Sequence, residues 1–356
     1  MIDRRSFLRK SGAATALTVG TAAGLRAGIP GVKAASSLVS KPRILPRALK
    51  KGDLIGLVTP GSPITKEQLE ETVEKLENLG FRAYHKESVL SEYGYLAGKD
   101  PERADELMHM FTNEEVKGIW CVRGGYGSIR ILSRLDYEKI QQNPKVFIGY
   151  SDITALLTTI YEQTGLVTYH GPVGISDFNK FTVNSLEKVI MNPDQKFRYP
   201  YKRDKGTRKN PEFDRYTLHG GEAEGLLIGG NISVLDSMIG SRFEPDFENK
   251  IVYLEEIEEK TYRLDKMLFH LLEATNLKLA AGIAMGVMGG CNINDEPRLT
   301  LRQAIHDLME PLEMPISYGL SFGHIEQIIT IPNGIRASLN ADRNSLKLLE
   351  KTVEVW

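Results

Sequence analysis

Hydrophobic positions along the chain follow two spacings. Leu54 to Val58, Gly118 to Val122 and Val146 to Ile148 are short unbroken apolar runs, which read as buried strands. Between them, apolar residues recur at helical spacing. Leu69, Val73, Leu76 and Leu79 form one stripe, opened by Thr65 and Gln68 at capping-box spacing and closed by Gly80. A strand is expected around Phe81 to His85. Asp100-Pro101 opens a further helix, with Leu107, Met110 and Phe111 facing inward. Another helix is expected near Ser128 to Leu135. The run from Asp152 to Glu162 is helix-like, with Ile153, Leu156, Leu157 and Ile160 on one face. Strands alternating with helices predict an α/β fold built on a parallel sheet. In such sheets ligands bind beyond the carboxyl ends of the strands.

The pattern lapses between residues 192 and 217, where Lys196, Arg198, Lys202, Arg203, Lys205, Arg208 and Lys209 stand among Pro, Asp and Gly. This reads as a solvated linker; a basic rim for an anionic substrate is the alternative. Periodicity then resumes. Glu224 to Ile228 is strand-like and ends in Gly229-Gly230-Asn231. Ile251 to Leu254 is a strand followed by the acidic run Glu255 to Glu259. Tyr262 to Leu272 is an amphipathic helix, Ile283 to Met288 a strand, and Leu299 to Met309 a helix. Ser321-Phe322-Gly323-His324 precedes the apolar run Ile328 to Ile331. The organisation expected is an N-terminal α/β domain over 46–191, a linker over 192–217 and a smaller C-terminal α/β domain over 218–356.

The first 35 residues stand apart. Arg4 and Arg5 precede Phe7 and Leu8, an Ala/Gly/Thr-rich apolar run follows to about Leu25, and small residues near Ala34 and Ala35 offer a cleavage site. This is the layout of an export signal and resembles the twin-arginine class. The run is too short and weakly apolar for a retained membrane span. The expectation is an exported protein of the periplasm or cell envelope, with no stable membrane span once the signal is cleaved.

Composition narrows the partners. With 356 residues, 41% hydrophobic, 26% charged and net charge -1, nothing indicates nucleic acid or a membrane surface. The two cysteines, Cys121 and Cys291, lie in apolar runs and read as buried side chains, although a long-range bridge stays open. The seven histidines are scattered without metal-ligand spacing, so no metal is expected. No G-x-G-x-x-G is present, and no cofactor is expected.

Three groups at strand ends carry candidate chemistry. Ser151 lies where the run Val146 to Ile148 turns at Gly149 into a helix, the setting of a nucleophile elbow. It is alternatively the N-cap of that helix. Glu255, directly after an apolar strand, is better held than Glu258 or Glu259; it is alternatively one member of a solvated acidic run. His324 is a candidate base or a hydrogen-bonded loop histidine. A serine needs a base, and the base needs a carboxylate to fix its tautomer. The loop Arg123-Gly124-Gly125-Tyr126-Gly127 is either a tight turn or an oxyanion hole.

Arg123-Gly-Gly-Tyr-Gly127, Gly149-Tyr-Ser-Asp-Ile-Thr154, Gly171-Pro172, Gly229-Gly-Asn231, Leu254-Glu255 with Arg263 and Met267, and Phe322-Gly-His324 together resemble the LD-carboxypeptidases. That family includes the microcin C self-immunity proteins. The resemblance runs from about Leu54 to near Ala337. It implies that Ser151 is the nucleophile, Glu255 and His324 complete the triad, and the backbone N–H groups of Asp152 and Gly125 form the oxyanion hole. Arg123, Gly124 and Asn231 become candidate substrate-binding residues. The implied fold is an N-terminal Rossmann-like domain joined to a smaller α/β domain, with the site at their junction and a homodimer as the usual assembly. The implied reaction releases D-Ala from L-Lys or meso-diaminopimelate in a murein tetrapeptide, so the partner expected is a peptidoglycan stem peptide. The alternatives are a peptidyl-nucleotide immunity peptidase and, from another class, a non-catalytic exported solute-binding protein.

Overall fold

The computed structural model describes residues 42–192, 196–292 and 299–354. The export signal with Arg4, Arg5 and the cleavage region near Ala35 lies outside the described residues, as does the terminal Trp356. The first half runs β1 (Leu54–Val58), α1 (Lys66–Asn78), β2 (Arg82–Tyr84), α2 (Asp100–Thr112), β3 (Val116–Cys121), α3 (Tyr137–Gln142), β4 (Val146–Gly149), α4 (Thr154–Thr164), β5 (Tyr169–His170) and α5 (Lys180–Ile190). The second half begins with β6 (Tyr216–His219), β7 (Glu222–Asn231), α6 (Ile232–Met238), β8 (Ile251–Ile257) and α7 (Thr261–Ala274). It continues with β9 (Gly282–Gly289), α8 (Leu301–Met309), β10 (Ile316–Tyr318), β11 (Ile331–Pro332), β12 (Arg336–Asn340) and β13 (Ser345–Leu348).

Two sheets result. The six-stranded sheet has the order β11-β5-β4-β3-β1-β2 and is parallel except for β11. The seven-stranded sheet has the order β13-β12-β7-β8-β9-β10-β6, with a parallel centre and antiparallel edges. Both central regions are buried on two faces, which is why their strands read as continuous apolar runs. The α1 capping box is formed: Gln68 N–H donates to Thr65 Oγ1 at 3.2 Å and Thr65 N–H to Gln68 Oε1 at 3.0 Å. One apolar cluster joins Ile148 and Tyr169 of the first sheet to Leu227 and Tyr253 of the second. Among the described residues no helix is long and apolar enough to cross a membrane.

The helix expected near Ser128 to Leu135 is a 3-10 helix over Ser128–Arg134, followed by α3. Three expectations are corrected. The helix after β4 starts at Thr154, because Ser151 to Ile153 forms a tighter 3-10 turn. The stretch 192–217 is not a solvated linker in its described part. Tyr199 is buried and donates its hydroxyl to Thr330 O at 2.6 Å, while the buried Asp204 accepts N–H from Glu326 at 2.7 Å and Gln327 at 3.0 Å. Its exposed lysines and arginines set the polar composition, while the residues between them pair with the chain's second half. Lastly, β11 crosses back to pair with β5, so the first sheet is completed by residues far beyond position 217. Cys121 and Cys291 are buried free thiols.

Candidate active site

The backbone at Ser151 is the first sign of chemistry. Its φ is 63°, one of few positive values at a non-glycine residue. A serine has no intrinsic preference for that region, so the surrounding structure must impose it, as at strained functional turns. The turn is tight enough that a Cβ on Gly149 would lie 2.8 Å from Ile153 Cγ2. The side chain of Ser151 caps neither the 3-10 turn nor α4. Its hydroxyl makes no hydrogen bond among the described residues, and it is half-buried at the end of β4.

The glycine loop after β3 lies against this elbow. A Cβ on Gly124 would stand 3.0 Å from Ser151 Cβ and 3.2 Å from Asp152 N, so only glycine allows this approach. Among the described residues, the amides of Gly124, Gly125 and Asp152 have no internal acceptor. The loop is held from several sides. Ser62 N–H donates to Gly124 O at 3.0 Å, and Tyr126 N–H to Ser62 Oγ at 3.1 Å. The Asp152 carboxylate accepts N–H from Gly127 at 3.2 Å and Ser128 at 2.9 Å. The buried Arg103 donates to Gly127 O at 2.9 Å, to Pro60 O and to Asp100 Oδ1 at 2.6 Å. Burial pushes the Asp152 carboxyl up against the opposing effect of these loop hydrogen bonds. Asp152 therefore offers its amide beside Ser151 and its carboxylate to the loop. The second job, and the Arg103 clamp, were not legible in the motif. Arg123 is half-buried and donates to Pro63 O at 3.0 Å.

From the second sheet come Glu255 and His324. The β8–β9 register shifts between Leu254 and Glu256, and irregularities of this kind re-aim side chains beside active sites. Glu255 and Glu256 are consecutive, yet both are buried. Glu255 Oε2 meets His324 Nδ1 at 2.8 Å. Glu256 faces α6 instead, accepting from Asn231 Nδ2 at 2.9 Å and Ser233 N–H at 2.8 Å. Glu258 is exposed. Of the acidic run, then, Glu255 is the member that meets the histidine. Gly323, with φ 106°, brings the His324 loop in closely, since a Cβ there would lie 3.1 Å from Glu255 Cβ.

Burial alone would raise the Glu255 carboxyl. The charge and hydrogen bond of His324, with smaller contributions from His170 and the Asn231 side chain, bring it below the ordinary range. Burial would lower His324, but Glu255, then Glu256 and Glu258, raise it above an ordinary histidine. Glu256 is raised, first by burial and then by the charge of Glu255. Tyr150, the residue before Ser151, packs its ring on that of His324 with centroids 4.8 Å apart. This contact brings the histidine loop of the second sheet to the elbow of the first.

Asn231, a candidate substrate-binding residue, makes its side-chain hydrogen bonds within the protein. It is buried, its Oδ1 accepts from Ser233 Oγ at 2.7 Å and Val234 N–H at 3.2 Å, and it caps α6. Its amide is spent within the protein. Its backbone N–H donates to Thr154 Oγ1 at 3.0 Å, which ties β7 to the start of α4.

A two-domain α/β enzyme with a strained serine elbow and a buried carboxylate–histidine pair is the class defined by this arrangement. The comparisons with known proteins are more particular. Residues 55–171 match the LD-carboxypeptidase N-terminal domain, and residues 224–339 match the LD-carboxypeptidase C-terminal domain. A probable murein peptide carboxypeptidase of Bacillus subtilis (strain 168) is 36% identical over 83% of this chain and 91% of its own length. An MccF-like protein from Bacillus anthracis superposes with a TM-score of 0.75 at 31% identity, over 86% of this chain and 99% of its own. The muramoyltetrapeptide carboxypeptidase from Oxalobacter formigenes superposes with a TM-score of 0.72 at 26% identity, over 85% of this chain and 99% of its own. The chain belongs to the LD-carboxypeptidase family, and it is a carboxypeptidase by class.

Proposed function

We propose that this protein is a serine LD-carboxypeptidase that cleaves the bond between L-Lys or meso-diaminopimelate and the terminal D-Ala of murein tetrapeptides. The observation that carries the reading is the meeting of two structures. Ser151 stands in a positive-φ elbow, and Tyr150 beside it packs on the histidine that Glu255 holds. Ser151 Oγ attacks the scissile carbonyl as His324 Nε2 takes its proton. Glu255 holds Nδ1–H and stabilises the imidazolium. The oxyanion is met by the N–H of Asp152 and by the N–H of Gly125, with Gly124 closing against Ser151. His324 returns its proton to the departing D-Ala nitrogen. Water then attacks the acyl-enzyme, His324 takes a proton from it, and the shortened peptide leaves as Ser151 Oγ recovers its hydrogen. The reaction asks for no cofactor. Arg123 and Gly124 are the substrate-binding residues of this reading, and Asn231 supports the site from behind.

The twin-arginine-like segment at Arg4 and Arg5 supports export, so the substrate would be stem peptides of the envelope. A homodimer is part of the same proposal. Detection of the full-length, uncleaved chain in the cytosol would overturn the export reading.

A second reading is peptidyl-nucleotide cleavage, favoured by the likeness to the MccF-like structure. Such a substrate calls for an aromatic platform under the base. Trp120 is fully buried, with its Nε1 donating to Pro172 O at 2.7 Å, so it is not available for stacking. The deciding experiment incubates the chain from about Ala35 onward with L-Lys and diaminopimelate tetrapeptides and follows D-Ala by mass spectrometry. Release by the wild type and none by Ser151→Ala supports the first reading. No release, with turnover of an aminoacyl-nucleotide, supports the second. Undiminished ligand binding with no turnover of either would leave a binding protein.

A further inference from the structure

Beneath the Glu255–His324 pair lies a second histidine that the mechanism above does not use. His170 ends β5, in register with Gly149 at the base of the elbow and with Ile331 of β11. It is fully buried, and among the described residues neither ring nitrogen has a hydrogen-bond partner. Aromatic rings surround it: Tyr253 at 5.3 Å between centroids, Tyr150 at 5.9 Å and Phe322 at 6.2 Å. Tyr150 thus touches both histidines, while Tyr253 comes from β8, the strand that carries Glu255.

Glu255 shows the complementary deficit. Its Oε2 is bonded to His324, but its Oε1 is buried without a hydrogen-bond partner among the described residues. Asn231, across the ladder, gives its Nδ2 to Glu256; its amide also lies near enough to Glu255 to help lower that carboxyl, but it makes no hydrogen bond of good geometry to Oε1. A buried carboxylate oxygen and a buried imidazole, each unpaired, are costly separately and cheap together, by direct contact or through one shared water. Resting on the triad reading above, we propose that His170 is a positioning residue: its neutral ring turns an N–H pole toward Glu255 Oε1 and keeps Oε2 on His324.

The surroundings agree. Burial, before any other influence, pushes His170 down to about 4, with Glu255 pulling it up and His324 pushing it down further. It therefore stays neutral across the working range and supplies a donor without a second positive charge. A charged His170 would compete with His324 for the same carboxylate. The titratable groups around the pair are Tyr150 beside the elbow, Tyr253, Glu255 and Glu256 on β8, Glu258 just beyond it, and the two histidines themselves.

The test uses the full mature chain and three variants. His170→Phe removes both nitrogens, while His170→Asn and His170→Gln each keep an N–H pole at one ring position. Two readouts are followed against pH: tetrapeptide turnover, and the rate at which a fluorophosphonate labels Ser151. His170→Phe should lower kcat about tenfold with KM changed by less than about twofold, the scale of lost outer-shell support. Its acid limb should move to higher pH, because Glu255 then faces His324 with undivided charge. One of the two amide variants should recover most of the rate and the wild-type limb. Wild-type kcat and limb in His170→Phe would overturn the proposal. So would a loss that follows Tm alone and that neither amide variant repairs.

Should the phenylalanine variant fail to fold, histidine NMR on the wild type decides. Expected are a His170 that stays neutral well below pH 6 and an N–H shielded from exchange. A His170 that titrates like a free histidine, or that exchanges rapidly, overturns the proposal. Labelling of Ser151 without D-Ala release would remove the murein substrate and leave this positioning test intact.

Discussion

The ends of β4 and β8 are linked through the Tyr150–His324 contact but are shaped by different means. At the end of β4 the preparation is in the backbone: Ser151 is held at φ 63° and Gly124 closes within contact of it. At the end of β8 it is electrostatic: Glu255 is fully buried, and His324 draws its carboxyl below the ordinary range. The strained turn draws on charge only through the groups that hold its glycine loop, the Asp152 carboxylate and Arg103, and the charged pair needs no strained turn. Each half is therefore open to separate damage. Backbone geometry should tolerate changes of pH, whereas the carboxylate–histidine pair should not.

The largest effect expected is at Ser151, the proposed nucleophile. Ser151→Ala should lower kcat on the order of 10⁶-fold, the scale seen when a triad serine is removed, while Tm changes little. Substrate affinity should survive, and a calorimetric titration of the variant with tetrapeptide checks this. A variant retaining a tenth of the activity would remove Ser151 from the mechanism.

Next comes the pair on the other side. Glu255→Gln should cost about 10⁴-fold in kcat by losing the tautomer and the charge that serve His324. The pH dependence gives the sign. His324 is raised above its ordinary value, so kcat/KM should climb with pH along a limb centred above that value. In Glu255→Gln the residual limb should fall to lower pH. Stability follows the same pair in opposite directions. The raised His324 contributes stability that is full below its unfolded pKa and is lost as pH rises through the folded value. The lowered Glu255 contributes stability present above its unfolded pKa and lost as pH falls through the folded one. Urea titrations of wild type and Glu255→Gln across pH 3 to 9 should show the wild-type advantage narrowing at both extremes.

A smaller effect belongs to the support of the β4 side. Asp152→Asn keeps the shape but sets an amide N–H against the N–H of Gly127 or Ser128. The loop should loosen, with kcat down about 10- to 100-fold, near the loss of one oxyanion donor. The acid limb should stay in place, which separates this damage from that of Glu255→Gln in a single pH–rate experiment. The smallest effect is expected at Glu258→Gln. Glu258 is exposed and reaches His324 only through its charge, so kcat should change less than about twofold and the limb should slip slightly downward.

The chain by itself determined most of the scaffold. Apolar runs for β1, β3, β4, β8 and β9, the capping box at Thr65 and Gln68, and the proline opening α2 are local signals, because burial and capping act over a few residues. The elbow was legible for the same reason, as a strand, a glycine and a helix stripe within about a dozen positions. The Gly-Tyr-Ser-Asp and Phe-Gly-His stretches likewise marked Ser151 and His324. Tertiary structure decided the rest. Whether Ser151 was a cap or a strained corner depended on its φ, which no spacing reports. Which glutamate of the run 255–259 meets a histidine depended on a register shift against β9. Asn231 could be placed on its helix only once α6 lay above Glu256. The apparent linker became a packed segment because Tyr199 and Asp204 find partners more than 100 positions away. The Arg103 clamp and the unpaired nitrogens of His170 belong to this second kind as well. Their meaning lies in what a buried polar group finds beside it, and sequence order does not specify that neighbour.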